Sequence, residues 1–125
     1  MSIKQDRMAE RIQELLSELL LREVRDPRLR GVTITEVKID PELAFANVYV
    51  NALGDESRQE GVMEALGKAS SFLRRAVGQR LTTRVTPELH FHWDYTLEYG
   101  EHLNQLIESL DIPPETVEED VDDNN

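Results

Sequence analysis

Two adjacent segments set the fold class. "GVTITEVKID" (Gly31–Asp40) is dense in β-branched residues. In the second segment Ala44, Ala46, Val48 and Val50 alternate with Phe45, Asn47 and Tyr49. Period two is the pattern of a strand with one buried face. The turn between them, "PELA" (Pro41–Ala44), is too short to hold a crossover, so the strands are expected to pair antiparallel. The apolar phase of the first segment slips between Ile34 and Val37, which predicts a bulge or a strand buried on both faces.

A lone hairpin is marginal in water, so the flanking segments must cover it. Ahead of it, Met8, Ile12, Leu15, Leu16, Leu19 and Leu20 recur at helical spacing. Ser2 with Gln5 reads as a capping box that opens this helix, and Pro27 in "RDPRLRG" ends it. After the hairpin, Ser57 with Glu60 reads as a second capping box. It opens a helix through Val62, Ala65, Leu66, Ala69, Phe72, Leu73, Ala76 and Val77. "PELHFHWDY" (Pro87–Tyr95) places Leu89, Phe91, Trp93 and Tyr95 on one face of a third strand. A last amphipathic helix is expected over residues 98–110, closed by Pro113-Pro114. The expected class is α+β: a three-stranded sheet with helices packed on one face.

Charge divides the chain. The formal net charge is -11, but residues 111–125 carry seven acids and no base. The remaining 18 acids and 14 bases leave residues 1–110 at only -4. The expectation is one domain over residues 1–110 and an acidic, disordered tail over 111–125. Against this background Ala65–Pro87 holds no Asp or Glu, only Lys68, Arg74, Arg75, Arg80 and Arg84. On a helix, Lys68, Ser71, Arg75 and Gly78 share the face opposite the apolar stripe. Cations without competing carboxylates, beside small residues, suit a phosphate backbone. An ordinary solvated face, or one that docks an acidic protein partner, is the plainer reading. Arg28 and Arg30 form a second basic group in the loop after the first helix. Lys4, Arg7 and Arg11 lie among Asp6, Glu10 and Glu14 and read as solvated surface.

Other chemistry finds little support. With no cysteine there is no disulfide framework or thiolate site, which fits a reducing, cytoplasmic setting. The charged N-terminus reads as no signal peptide, and "LLSELLL" is far short of a membrane span. Glu88, His90, His92 and Asp94 share one strand face and could each ligate a metal. Nothing in the spacing converges on them, and the open face of an amphipathic strand accounts for them, so no metal is expected. Recognisable nucleophile, phosphate-loop and zinc-protease motifs are absent, and neither enzyme nor cofactor is expected.

The segment Lys68–Ile107, "RDPRL…VTITEVKIDPELAFANVYV" and "RMAERIQELLSELLLREVRDPRL" together resemble the bacterial ribosome-binding factor A family. The most specific positions are Arg84, Pro87, Leu89, Phe91 and Asp94, with Asp26-Pro27-Arg28. The resemblance implies a KH-like domain of the type II order α-β-β-α-kink-α-β, extended here by the last helix and the tail. The family bends its middle helix at an Ala-x-Gly kink. The matching positions are Ala69, Ser70 and Ser71, with serine in place of the glycine. It also implies a non-enzymatic, monomeric factor that binds the free immature 30S subunit and its 16S rRNA. Such a factor assists 5′-end processing and late maturation, also in the cold, and a GTPase releases it. The implied rRNA surface is Lys68, Ser70, Ser71, Arg74, Arg75, Arg80 and Arg84, with Arg28 and Arg30 as a second contact.

Overall fold

A computed structural model describes residues 2–52, 55–96 and 106–107. The chain divides into two units, Met1–Asp94 and Tyr95–Asn125. The first contains helix α1 (Ile3–Arg22), strands β1 (Val32–Ile39) and β2 (Phe45–Ala52), helix α2 (Gln59–Arg80) and strand β3 (Glu88–Trp93). Of the second, Leu106 and Ile107 are helical. The rest of the expected last helix, and the acidic tail, lie outside the described residues.

Local chemistry starts α1 as expected. The Ser2 hydroxyl accepts from the Gln5 amide at 3.1 Å, and the Ser2 amide donates to Gln5 Oε1 at 3.0 Å. Gln5 is itself buried, and its Nε2 donates to the Ile39 carbonyl at 2.9 Å. Gln13 Nε2 likewise donates to the Ile34 carbonyl at 3.0 Å. β1 is an edge strand, so these glutamines occupy carbonyls that would otherwise invite a foreign strand.

The hairpin forms with β1 and β2 antiparallel, and its register shifts between Ile34 and Glu36, where the apolar phase slips. Thr35 is the extra residue, which lets Ile34, Val37 and Ile39 all reach the core. The return through α2 lays β3 parallel to β2, in the order β1-β2-β3. Ala46, Val48 and Val50 in the central strand are 0% exposed beneath the helices. Ile12, Leu16 and Leu19 of α1 and Leu66, Leu73 and Val77 of α2 complete the core. Burying each such side chain contributes about 1.5–3 kcal/mol relative to leaving it in water.

Three expectations for α2 need correction. Ser57 and Glu60 form no capping box. Asp55 caps instead, accepting from the Ser57 amide and hydroxyl, and residues 56–58 make a 3-10 turn before α2 begins at Gln59. An acid two residues upstream outcompetes the Ser57 hydroxyl for the free amides. Phe72 is 41% exposed, because Leu73 and Ala76 already fill the seam beside it. The division into two helices at Ala69, Ser70 and Ser71 is absent, since α2 is one α-helix from Gln59 to Arg80. Glycine costs a helix about 0.8–1.0 kcal/mol relative to alanine, and serine roughly half of that, so replacing the glycine with serine removes much of the incentive to break.

Gly67 tests that balance. A Cβ added there meets nothing within 4 Å. Gly67→Ala is therefore expected to stabilise the protein by up to about 1 kcal/mol, read as a raised thermal midpoint. At Gly78 an added Cβ would lie 2.6 Å from Thr86 Oγ1. Gly78→Ala should thus raise the midpoint less than Gly67→Ala, or lower it.

Candidate nucleic-acid interface

Beyond α2 the chain doubles back. Leu81–Pro87 runs without regular structure to β3, and Gly78 lets the Thr86 side chain lie against the helix. The Arg74 guanidinium donates to the Thr86 carbonyl at 3.0 Å and ties this return segment to α2. Between helix and return segment runs an open groove of about 690 Å³. Ser71, Arg74, Arg75, Gln79, Thr83 and Arg84 are among the residues that line it. No lining residue is acidic. Among the described residues, neither Arg75 nor Arg84 makes an ion pair.

The expected surface is therefore sorted rather than uniform. Arg75, Arg84 and Ser71 are exposed in the groove, and Arg74 shapes it. Ser70 is half-buried and does not line it. Lys68 pairs with Glu64 at 3.4 Å, one helical turn before it. Arg80 donates to Glu23 at 2.9 Å and to the Ala76 carbonyl at 3.0 Å, which joins the ends of the two helices. Both bases sit opposite carboxylates that lie outside the acid-free window in sequence, so both have a competitor for phosphate.

The second basic group is divided in the same way. Asp26 caps the 3-10 turn Pro27–Leu29, accepting from the Arg28 amide at 3.0 Å and from its guanidinium at 2.8 Å. Arg28 also lies 3.5 Å from Glu64, so Glu64 bridges Arg28 to Lys68. The Arg28 side-chain and backbone hydrogen bonds hold the Asp26 carboxyl down at about 2, and the Asp26 hydrogen bond raises Arg28. Arg30 is exposed and lies in a separate cleft with Arg22 and Arg25, floored by Leu20 and Leu29. Two contributors had no sequence signal. Arg58 donates to the carbonyls of Arg28 and Arg30 across the fold, and Glu64 masks two of the expected cations.

The Asp26 contacts carry a sign for pH. A carboxyl whose folded value lies below its usual 3.8 stabilises the fold above that value and loses the contribution as pH falls toward about 2. The thermal midpoints of wild type and Asp26→Asn should therefore differ at neutral pH, with wild type higher. They should converge as pH falls from about 4 to about 2.

The histidines of β3 are engaged on the open face of the sheet. His90 lies 3.2 Å from Glu88 and edge-on to Phe45, while His92 contacts Asn47 Oδ1 at 2.9 Å and stacks on Tyr49. Among the described residues no group of three or more His, Asp or Glu side chains is placed to hold a metal ion. Nor is any helix among them long and apolar enough to cross a membrane.

These features define a class: a two-helix α+β domain that presents a cation-lined groove between a helix and the segment returning to its sheet. The sequence matches the ribosome-binding factor A family over residues 4–107, and the chain belongs to that family. Its fold is similar to the crystal structure of ribosome-binding factor A from Thermus thermophilus. The TM-score is 0.64 at 28% identity, covering 71% of this chain and 93% of that one. A Thermotoga maritima protein assigned as a ribosome-binding factor A, solved by NMR, gives a TM-score of 0.64 at 32% identity, covering 74% and 88%. A homology model of the T. thermophilus factor, fitted into the cryo-EM map of its 30S complex, gives 0.56 at 25% identity, covering 76% and 96%.

Proposed function

We propose that the protein is a KH-like assembly factor that binds the free, immature small ribosomal subunit by its 16S rRNA. On this reading it supports 5′-end processing and late maturation, also in the cold, until a GTPase releases it. The observation that carries the reading is the acid-free groove with Arg75 and Arg84 exposed in it. Family membership and the 30S complex of the T. thermophilus relative support the choice of partner. The order α1-β1-β2-α2-β3, with β3 parallel to β2, supports the KH-like assignment.

The mechanism is occupancy. Guanidinium groups meet phosphate oxygens bidentately, and groove-lining hydroxyls add donors, so affinity comes from the backbone and its shape rather than from base edges. A bound protein holds one rRNA conformation and excludes competing ones until maturation ends. Arg75 and Arg84 are the principal contacts. Lys68 contributes only where phosphate displaces Glu64, and Arg28 only where it displaces Asp26 and Glu64. Competition decides between RNA and an acidic protein as the partner. Free 16S rRNA fragments should displace the protein from purified immature subunits, and a protein that ignores them reads a protein surface instead.

A further inference from the structure

The cation groove does not end at Arg84. Thr83 also lines a second groove, of about 360 Å³, whose other walls are Leu81, Thr82 and the α1 residues Ile3, Lys4, Arg7 and Arg11. Three bases that stand among acids in the sequence are thus gathered beside the return segment that carries Arg84. Two acids of this helix turn another way. Asp6 and Glu10 line a different groove with Gln13 and Glu36, one that Arg7 borders but Lys4 does not. Arg11 is already paired with Glu14 at 3.3 Å. Lys4 and Arg7 are exposed and make no ion pair among the described residues.

We infer that Lys4 and Arg7 extend the RNA-binding surface onto α1, so that one nucleic-acid backbone runs from Arg75 and Arg84 across Thr82 and Thr83 to α1. The inference rests on the rRNA reading above and deepens it. The exposed Thr82 hydroxyl sits between the two cation pairs and can donate to an intervening phosphate, while the Thr83 hydroxyl already donates to the Val85 carbonyl at 3.1 Å. Exposed Ile3 and half-buried Leu81 offer apolar contact to the sugars. An acidic protein would meet the same cations with a salt dependence of its own, so displacement by free 16S rRNA fragments, as above, decides between the two.

The test compares salt dependence. Binding to purified immature small subunits is measured against monovalent salt for wild type, Lys4→Ala/Arg7→Ala and Lys38→Ala. Lys38 is an exposed base on β1 that lies over Tyr49 and serves as the control. Two lost phosphate contacts should flatten the log–log slope by about 1.4–1.8 and cost about 25- to 60-fold in affinity near 0.1 M salt, at 0.7–0.9 per contact. The control should match wild type. Both altered α1 side chains are exposed, so thermal midpoints should stay put. A double variant with the wild-type slope overturns the extension and leaves the Arg75–Arg84 groove standing. A wild type whose binding ignores salt overturns the rRNA reading together with the extension.

Discussion

Replacing Arg75 and Arg84 together with alanine is expected to weaken binding to immature small subunits by about 25- to 60-fold near 0.1 M monovalent salt. The log–log salt slope should flatten by about 1.4–1.8. The magnitude follows from counterion release, because each neutralised phosphate contributes about 0.7–0.9 to the slope, or roughly five- to eightfold in affinity at that salt. These two side chains are chosen because, among the described residues, no carboxylate holds them. By the same reasoning Lys68→Ala should cost less than Arg75→Ala, since Lys68 must leave Glu64 before it can serve a phosphate. Titration of labelled protein with subunits at several salt concentrations reads both quantities. Thermal midpoints of the variants should be unchanged, as exposed arginines add little to a fold.

The largest expected loss of stability is at Leu66→Ala. Leu66 is 0% exposed on the face of α2 that meets the sheet, among Val62, Ala65 and Leu73. Truncating a fully buried leucine costs about 2–5 kcal/mol, from lost transfer energy and the cavity left behind. A domain of this size has about 5–15 kcal/mol in total, so a substantial fraction of its stability would go. Function should follow, because α2 carries one wall of the groove and anchors Arg74 to Thr86. Denaturant midpoints should fall with the unfolding slope unchanged. At temperatures where the variant remains folded, its salt slope should match wild type. That separates loss of fold from loss of contacts.

Periodicity and capping made much of the fold legible. The strand phases, the slip that became the Thr35 bulge and the Ser2–Gln5 box are local, and local chemistry decided them. The errors arose where a nearby competitor or a distant neighbour intervened. Asp55 captured the cap that Ser57 and Glu60 were expected to make. Phe72 follows the apolar spacing, yet its flank of α2 is not covered. The site was legible as a charge anomaly but not as a geometry. Arg80 is held by Glu23, 57 residues away, and Arg28 by Glu64 on another helix, pairings that no spacing reveals. Lys4 and Arg7 are exposed as expected, but the groove they line also holds Thr82 and Thr83, a neighbourhood that no spacing reveals. A list of basic residues does not distinguish cations that are spent from cations that remain available.

The central claim is that the groove between α2 and the return segment lies against rRNA. Ser71 is exposed on its wall and carries no charge, so a photoreactive residue placed there disturbs little of the field. Crosslinking that protein on purified immature small subunits, then separating labelled RNA from labelled protein, tests the claim most directly. The label is expected in the 16S rRNA. A label confined to ribosomal proteins would contradict it.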